Sequence, residues 1–209
     1  MRNFICHLLS GAAALCISTS ALAAGASNWA GPYVGADVGY MFGSTRVVDS
    51  GVLVEPGANT DGVMGGLLAG FNWQDGAWVY GTEIDASLAD VQGHGSIGIG
   101  PEPLRYALHW ASNGRLRLGY TVAPDTLFFV AGGLAITDLR FTEIDFIGKT
   151  RVGWTIGAGL DQAFTDCLVG RVEFLYADYG SVRYTQGPSD FYIVDFTAPQ
   201  VRAALVWKF

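Results

Sequence analysis

Two histidines and a serine are the residues best suited to proton and nucleophile chemistry. His109 and Ser112 stand three apart in LHWASNG, and His94 sits in GHGS. Nucleophilic catalysis needs a base within hydrogen-bond reach of the nucleophile and a third group to orient that base. Spacing assigns no acidic partner to His109. His94 and His109 are too far apart for a spaced-ligand metal motif, and no cysteine pairs with them. The glycine-rich GHGSIGIG at 93–100 lacks the lysine and following helix of a phosphate loop. These residues read as a loop histidine and a rim histidine, with no catalytic, metal or cofactor site.

A second set of ionisable side chains is larger and better ordered. Asp37, Glu83, Asp85, Asp161 and Glu173 are matched in number by Arg115, Arg117, Arg171, Arg202 and Lys208. Each lies in a segment where polar and apolar residues alternate, and each has the parity opposite to that segment's apolar set. That apolar set includes Val34, Val38, Leu67, Ile84, Leu116, Val130, Ile156, Val172 and Leu205 and carries no charge. Strict alternation marks strands whose two faces meet different environments. Equal numbers of both signs suit an enclosed space, where an unpaired charge is costly.

The elements that position these charges are eight such segments, at about 32–42, 62–73, 77–90, 105–121, 126–140, 150–163, 167–180 and 199–209. Three connections are tight: QDG at 74–76, APD at 123–125 and TD at 165–166. Four are longer, at about 43–61, 91–104, 141–149 and 181–198. Tight and long connections alternate, as they do in barrels with short periplasmic turns and long external loops. The last connection carries Tyr184, Phe191, Tyr192 and Phe196, which fit an adhesive patch or, preferably, a hairpin extending the last two strands. The triplet SNG at 112–114 reads as a bulge or as the effective start of the fourth strand. It leaves the facing of His109 and Trp110 open.

Bulk composition agrees. Charged residues are 15% of the chain, against about 25% in ordinary soluble domains. The formal net charge of −7 excludes nucleic-acid binding by bulk electrostatics. Arg2, the apolar stretch Phe4 to Ile17 and the small residues Ala21 and Ala23 form a secretory signal peptide over residues 1–23. Residues 24–209 then form one domain. Cys6 and Cys16 leave with the signal, so the processed chain keeps Cys167 and forms no intrachain disulfide. The expected fold class is all-β: an eight-stranded antiparallel up-and-down transmembrane β-barrel. Phe71, Trp73, Trp78, Tyr80, Tyr120, Phe128, Trp207 and Phe209 fall near one rim, and Tyr40, Trp110, Trp154 and Tyr176 near the other, as two aromatic belts.

Seven pieces of the chain resemble, in order, the small outer-membrane surface antigens of alphaproteobacteria, the immunogenic or "porin family" proteins. They are NWAGPYVGADVGY (28–40), WVYGTEID (78–85), RLRLGY (115–120), AGGLA (131–135), GWTIGAGLDQAF (153–164), VEFLYADYG (172–180) and VRAALVWKF (201–209). The resemblance implies a barrel in the bacterial outer membrane with antigenic external loops. The expected role is structural and surface-exposed, serving envelope integrity and antigen presentation, with no enzymatic activity. The alternatives are a narrow small-solute pore and a loop-mediated adhesin or ligand binder. Expected partners are outer-membrane lipid and, during biogenesis, the barrel assembly machinery. Leu205, Trp207 and Phe209 resemble the C-terminal signal which that machinery reads. The interior charges read as a salt-bridged plug rather than a gated path, because side chains fill a closed eight-strand bore.

Overall fold

Period-two alternation becomes eight strands hydrogen-bonded into one closed ring. The computed structural model describes residues 28–49, 52–95, 104–141, 149–185 and 191–209. The strands are β1 (Gly31–Asp49), β2 (Val52–Asp75), β3 (Trp78–Gly95) and β4 (Leu104–Ala123), then β5 (Thr126–Phe141), β6 (Lys149–Ala163), β7 (Leu168–Thr185) and β8 (Phe191–Lys208). Every neighbouring pair is antiparallel, and β8 closes on β1 with Tyr33 opposite Lys208 and Tyr40 opposite Val201. Closure leaves no free edge within the ring, so backbone groups there pair with both neighbouring strands apart from local bulges, as a hydrocarbon environment requires. The expected signal peptide lies outside the described residues.

The tight connections fall where the sequence places them. β2 and β3 are joined through Gly76, whose φ of +59° is the left-handed conformation that an Asp-Gly turn supplies. Between β6 and β7 the Thr165 hydroxyl accepts the backbone N–H groups of Cys167 and Leu168, at 3.3 and 2.9 Å. Cys167 is disulfide-bonded to a partner outside the described residues. The expectation of no intrachain disulfide applies to a chain from which removal of the expected signal peptide takes Cys6 and Cys16; the full-length chain keeps both.

The long connections differ from their expected form. β1 and β2 stay paired from Gly31 opposite Asn72 to Asp49 opposite Val52, so most of 43–61 is ladder. β7 and β8 stay paired to Thr185 opposite Phe191, the hairpin preferred above. β3 and β4 reach Gly95 opposite Leu104. Beyond the rim both faces of a hairpin meet water, so alternation is no longer imposed and the strand signal fades.

β4 also differs. SNG sits in regular register, with Ser112, Asn113 and Gly114 opposite Ala86, Asp85 and Ile84. The irregularity lies earlier: the β4–β5 register slips between Leu108 and Ala111, and the β3–β4 register between Leu88 and Val91. Leu108 and Ala111 are both fully buried, while His109 is exposed and Trp110 half-buried. The extra residue thus turns both His109 and Trp110 outward, as a β-bulge does.

Facing is the reverse of a soluble sandwich. Leu67 is 69% exposed, whereas Glu83, one strand away, is 2% exposed. Every apolar residue assigned to lipid from parity points outward, and none is buried. At the turn-side rim Phe71 contacts Trp73, Trp73 stacks on Tyr80 at 6.3 Å, and Trp78 meets Tyr120 edge-on at 5.1 Å. At the opposite rim Tyr40 packs on Phe42 and Trp154 on Tyr176. Two aromatic belts bound an uncharged, mostly apolar outer band.

Candidate functional site: the buried ionic interior

With apolar residues outward, the alternate residues have nowhere to go but the bore. Glu83 and Asp85 on β3, Arg115 and Arg117 on β4, Asp161 on β6, Arg171 and Glu173 on β7, Arg202 on β8 and Asp37 on β1 all point inward. All are at least 95% buried. The structure brings these nine side chains into one cluster, with ion pairs linking them across the bore.

Glu83 is the hub. Its carboxylate lies 2.5 Å from Arg115, 2.5 Å from Arg171 and 3.4 Å from Arg117, and it accepts the Tyr33 hydroxyl at 2.8 Å. Arg115 continues to Glu173 at 2.6 Å and Asp85 at 3.4 Å. Arg117 and Arg171 share Asp161: Arg117 reaches it at 2.9 Å, and Arg171 grips both its oxygens at 2.7 and 3.0 Å. Such forked contacts are the geometry in which guanidinium–carboxylate pairing is strongest. Arg202 donates to Asp85 at 2.9 Å and Gln200 at 2.8 Å, and stands 4.0 Å from Asp37.

Aromatic rings complete this layer. The Arg117 guanidinium lies 4.0 Å from the centre of Phe129, and that of Arg171 lies 5.0 Å from it. Two guanidiniums side by side repel, and the Phe129 ring, Asp161 and Glu83 offset that repulsion. Phe129 is accommodated because its cross-strand partner is Gly159: a Cβ there would stand 2.6 Å from the ring.

Buried apolar clusters flank the charges on both sides. Toward the long hairpins, Met41, Met64, Val91, Leu108, Tyr179 and Phe196 form one buried cluster. Toward the tight turns, Trp29, Tyr33, Leu68, Val79, Leu127 and Val206 form another. Trp29 is 1% exposed, and its backbone N–H donates to the Gln74 side chain at 2.8 Å. Lys208 stands apart from the ion cluster: its amine donates to the Asn28 carbonyl and lies 5.0 Å from the Trp29 ring. Phe196 belongs to the interior, where it stacks on Tyr179 at 5.7 Å, and so leaves the aromatic patch considered for the last connection. The side chains of Tyr184, Phe191 and Tyr192 are outside the described residues.

Among the described residues, those suited to nucleophile chemistry do not assemble. Ser112 donates to the Asp85 backbone carbonyl at 2.7 Å, and no hydrogen bond joins it to His109 among the described residues. The His94 side chain is outside them. No cluster of three histidine, cysteine or acidic residues suited to a metal occurs among them either. Leu205 and Trp207 on β8, and Phe209 just past its end, face outward, and the Phe209 N–H donates to the Pro32 carbonyl at 3.1 Å across the β8–β1 seam.

Several interior partners escaped a search confined to charges. Tyr33, Asn113 and Gln200 bind Glu83, Asp85 and Arg202. Their inward parity was readable, but a neutral side chain carries no sign of being buried.

Comparison with known proteins places the chain among outer-membrane barrels. Residues 10–209 match the family profile of the outer membrane protein beta-barrel domain. The 31 kDa outer-membrane immunogenic protein of Brucella melitensis is 30% identical over 204 residues, covering 87% of this chain and 84% of that protein. The 25 kDa outer-membrane immunogenic protein of Brucella abortus is 32% identical, covering 75% and 68%. The 22 kDa outer membrane protein of Rhizobium leguminosarum bv. viciae is 32% identical, covering 79% and 72%. Among solved structures, Neisserial surface protein A shares the fold, with a TM-score of 0.52, 11% identity and coverage of 85% and 97%.

Proposed function

The chain belongs to the outer-membrane β-barrel family, and from that premise we propose that it is a sealed structural barrel. In this reading it reinforces the envelope and presents its long hairpins at the cell surface as antigens. The observation that carries the reading is the layered bore. A salt-bridged layer centred on Glu83 lies between two buried apolar layers, one around Met41 and Phe196, the other around Trp29 and Leu68. A water-filled path would need a continuous polar lumen, as wider barrels have. Here ions would meet apolar side chains before and after the charges. The names of the Brucella relatives as immunogenic proteins support the antigen half of the reading.

The test is conductance of the purified protein in planar bilayers, with antibody labelling of intact cells. A sealed barrel gives no steady ion current, and antibodies to the β1–β2 and β7–β8 hairpins label unbroken cells. Steady current that is lost on substituting Arg115 or Glu173 would establish a pore instead.

A further inference from the structure

Asp37 differs from every other carboxylate of the ion cluster. Both its oxygens are buried without a hydrogen-bonding protein partner, and its nearest cation, Arg202, is 4.0 Å away. The reason lies in its surroundings. The flanking residues on its own inward face are Gly35 and Gly39, and its cross-strand partners are Gly66 on β2 and Ala204 on β8. None of these four neighbours carries a polar side chain that could pair with the carboxylate.

Polar groups near Asp37 are also incompletely paired. The Ser87 hydroxyl, 2.5 Å from where a Cβ on Gly66 would lie, has no partner. Arg202 Nη2 and Gln200 Nε2, on the adjoining wall, are buried donors without acceptors. Leaving such groups unpaired costs about 1–3 kcal/mol each, and more for charged ones. The set is mixed: Asp37 only accepts, Arg202 Nη2 and Gln200 Nε2 only donate, and Ser87 does both. A cation would satisfy the acceptors but not the donors, and it would stand beside the Arg202 charge. An anion would face Asp37. Water donates and accepts, and sites with two to four polar partners are where buried water is held.

We propose that the bore holds a closed hydration site between β1, β2, β3 and β8, in which ordered water bridges Asp37 to Arg202, Gln200 and Ser87. The apolar layers above and below isolate it from both aqueous phases. The site makes Asp37 a member of the interior network through water rather than through direct contact.

A high-resolution crystal structure of the lipid- or detergent-embedded protein, grown in rubidium chloride, tests this. The expected result is ordered density within hydrogen-bond distance of both Asp37 oxygens and Arg202 Nη2, with no rubidium anomalous signal. In Asp37→Leu that density disappears. Should that variant not assemble, Ser87→Ala serves, losing only the water bound to Ser87. An anomalous peak beside Asp37 would make the site a cation site. A direct Asp37–Arg202 hydrogen bond, or a dry space beside an unpaired carboxylate, would equally overturn the proposal.

Discussion

Tyr33 on β1 and Gly70 on β2 are cross-strand partners, and the tyrosine lies across the bare glycine: a Cβ on Gly70 would stand 2.3 Å from the Tyr33 hydroxyl oxygen. That placement lets the hydroxyl donate to Glu83 at 2.8 Å while accepting from Arg117 at 2.9 Å. Aromatic cover of a cross-strand glycine is a known way of pinning strand register. Gly70→Ala displaces the ring and breaks both hydrogen bonds. The expected loss is about 1–3 kcal/mol, the usual cost of overpacking. Gly114→Ala is the control, because a Cβ there meets nothing within 4 Å. It should fall within about 0.5 kcal/mol of the parent. Urea unfolding of both variants in lipid vesicles measures the difference.

Glu83 accepts from Arg115, Arg117, Arg171 and Tyr33, so its removal leaves three buried guanidiniums short of one carboxylate in a bore shielded from bulk solvent. Glu83→Leu should cost about 3–5 kcal/mol, the range for breaking a buried ion pair from one side. Restoring balance should recover part of it, so Glu83→Leu combined with Arg171→Met is expected to be more stable than Glu83→Leu alone. Because these charges are shielded from solvent ions, the penalty should be nearly the same at low and high salt. A double-mutant cycle at two salt concentrations reads both points, and a penalty that vanished in high salt would mean a solvated bore.

The facing of these residues was legible because side chains in a strand alternate with period two. Fixing Leu205 outward fixes Arg202 inward, and fixing Ile84 outward fixes Glu83 and Asp85 inward. The extent of the strands was less legible. Above the rim, Val47 to Asp49 pair with β8 and β2 without needing an apolar face, so nothing in their order marks them as strand. The bulge at His109–Trp110 was displaced to SNG because Ser, Asn and Gly are turn formers. Tertiary pairing overrides that preference, with Asn113 donating to Asp85 at 2.8 Å. Lys208 shares the parity of Arg202, yet alternation gives facing, not height. Only the closed ring shows that it meets Trp29 rather than a carboxylate.

Depth within the membrane gives a third prediction. Leu67 lies mid-strand and Val122 at the turn-side end of β4; both face outward, at 69% and 57% exposure. Leu67→Arg should cost about 2–4 kcal/mol in vesicles, whereas Val122→Arg should cost about 0–1 kcal/mol, because the cost of a charge falls toward the interface. Equal costs at the two positions would mean that the apolar band is not the membrane-embedded surface.

The last prediction concerns the end of β8. Phe209 is 55% exposed and belongs to neither buried cluster; its backbone N–H holds Pro32 across the seam. One seam hydrogen bond is worth about 0.5–1.5 kcal/mol, too little to unfold a closed barrel. Deleting Phe209 should therefore barely change the stability of protein refolded in vitro. If Leu205, Trp207 and Phe209 act as the signal for barrel assembly, the same deletion should sharply reduce the heat-modifiable, folded form recovered from outer-membrane fractions of cells. Trp29→Ala is the informative contrast, since it removes buried contacts at the bore and leaves the β8 terminus intact. It should lower stability in vitro, by about 3–5 kcal/mol if the cavity does not collapse, yet still enter the membrane. Normal recovery of the Phe209 deletion from cells would assign its outward aromatic face to lipid anchoring alone.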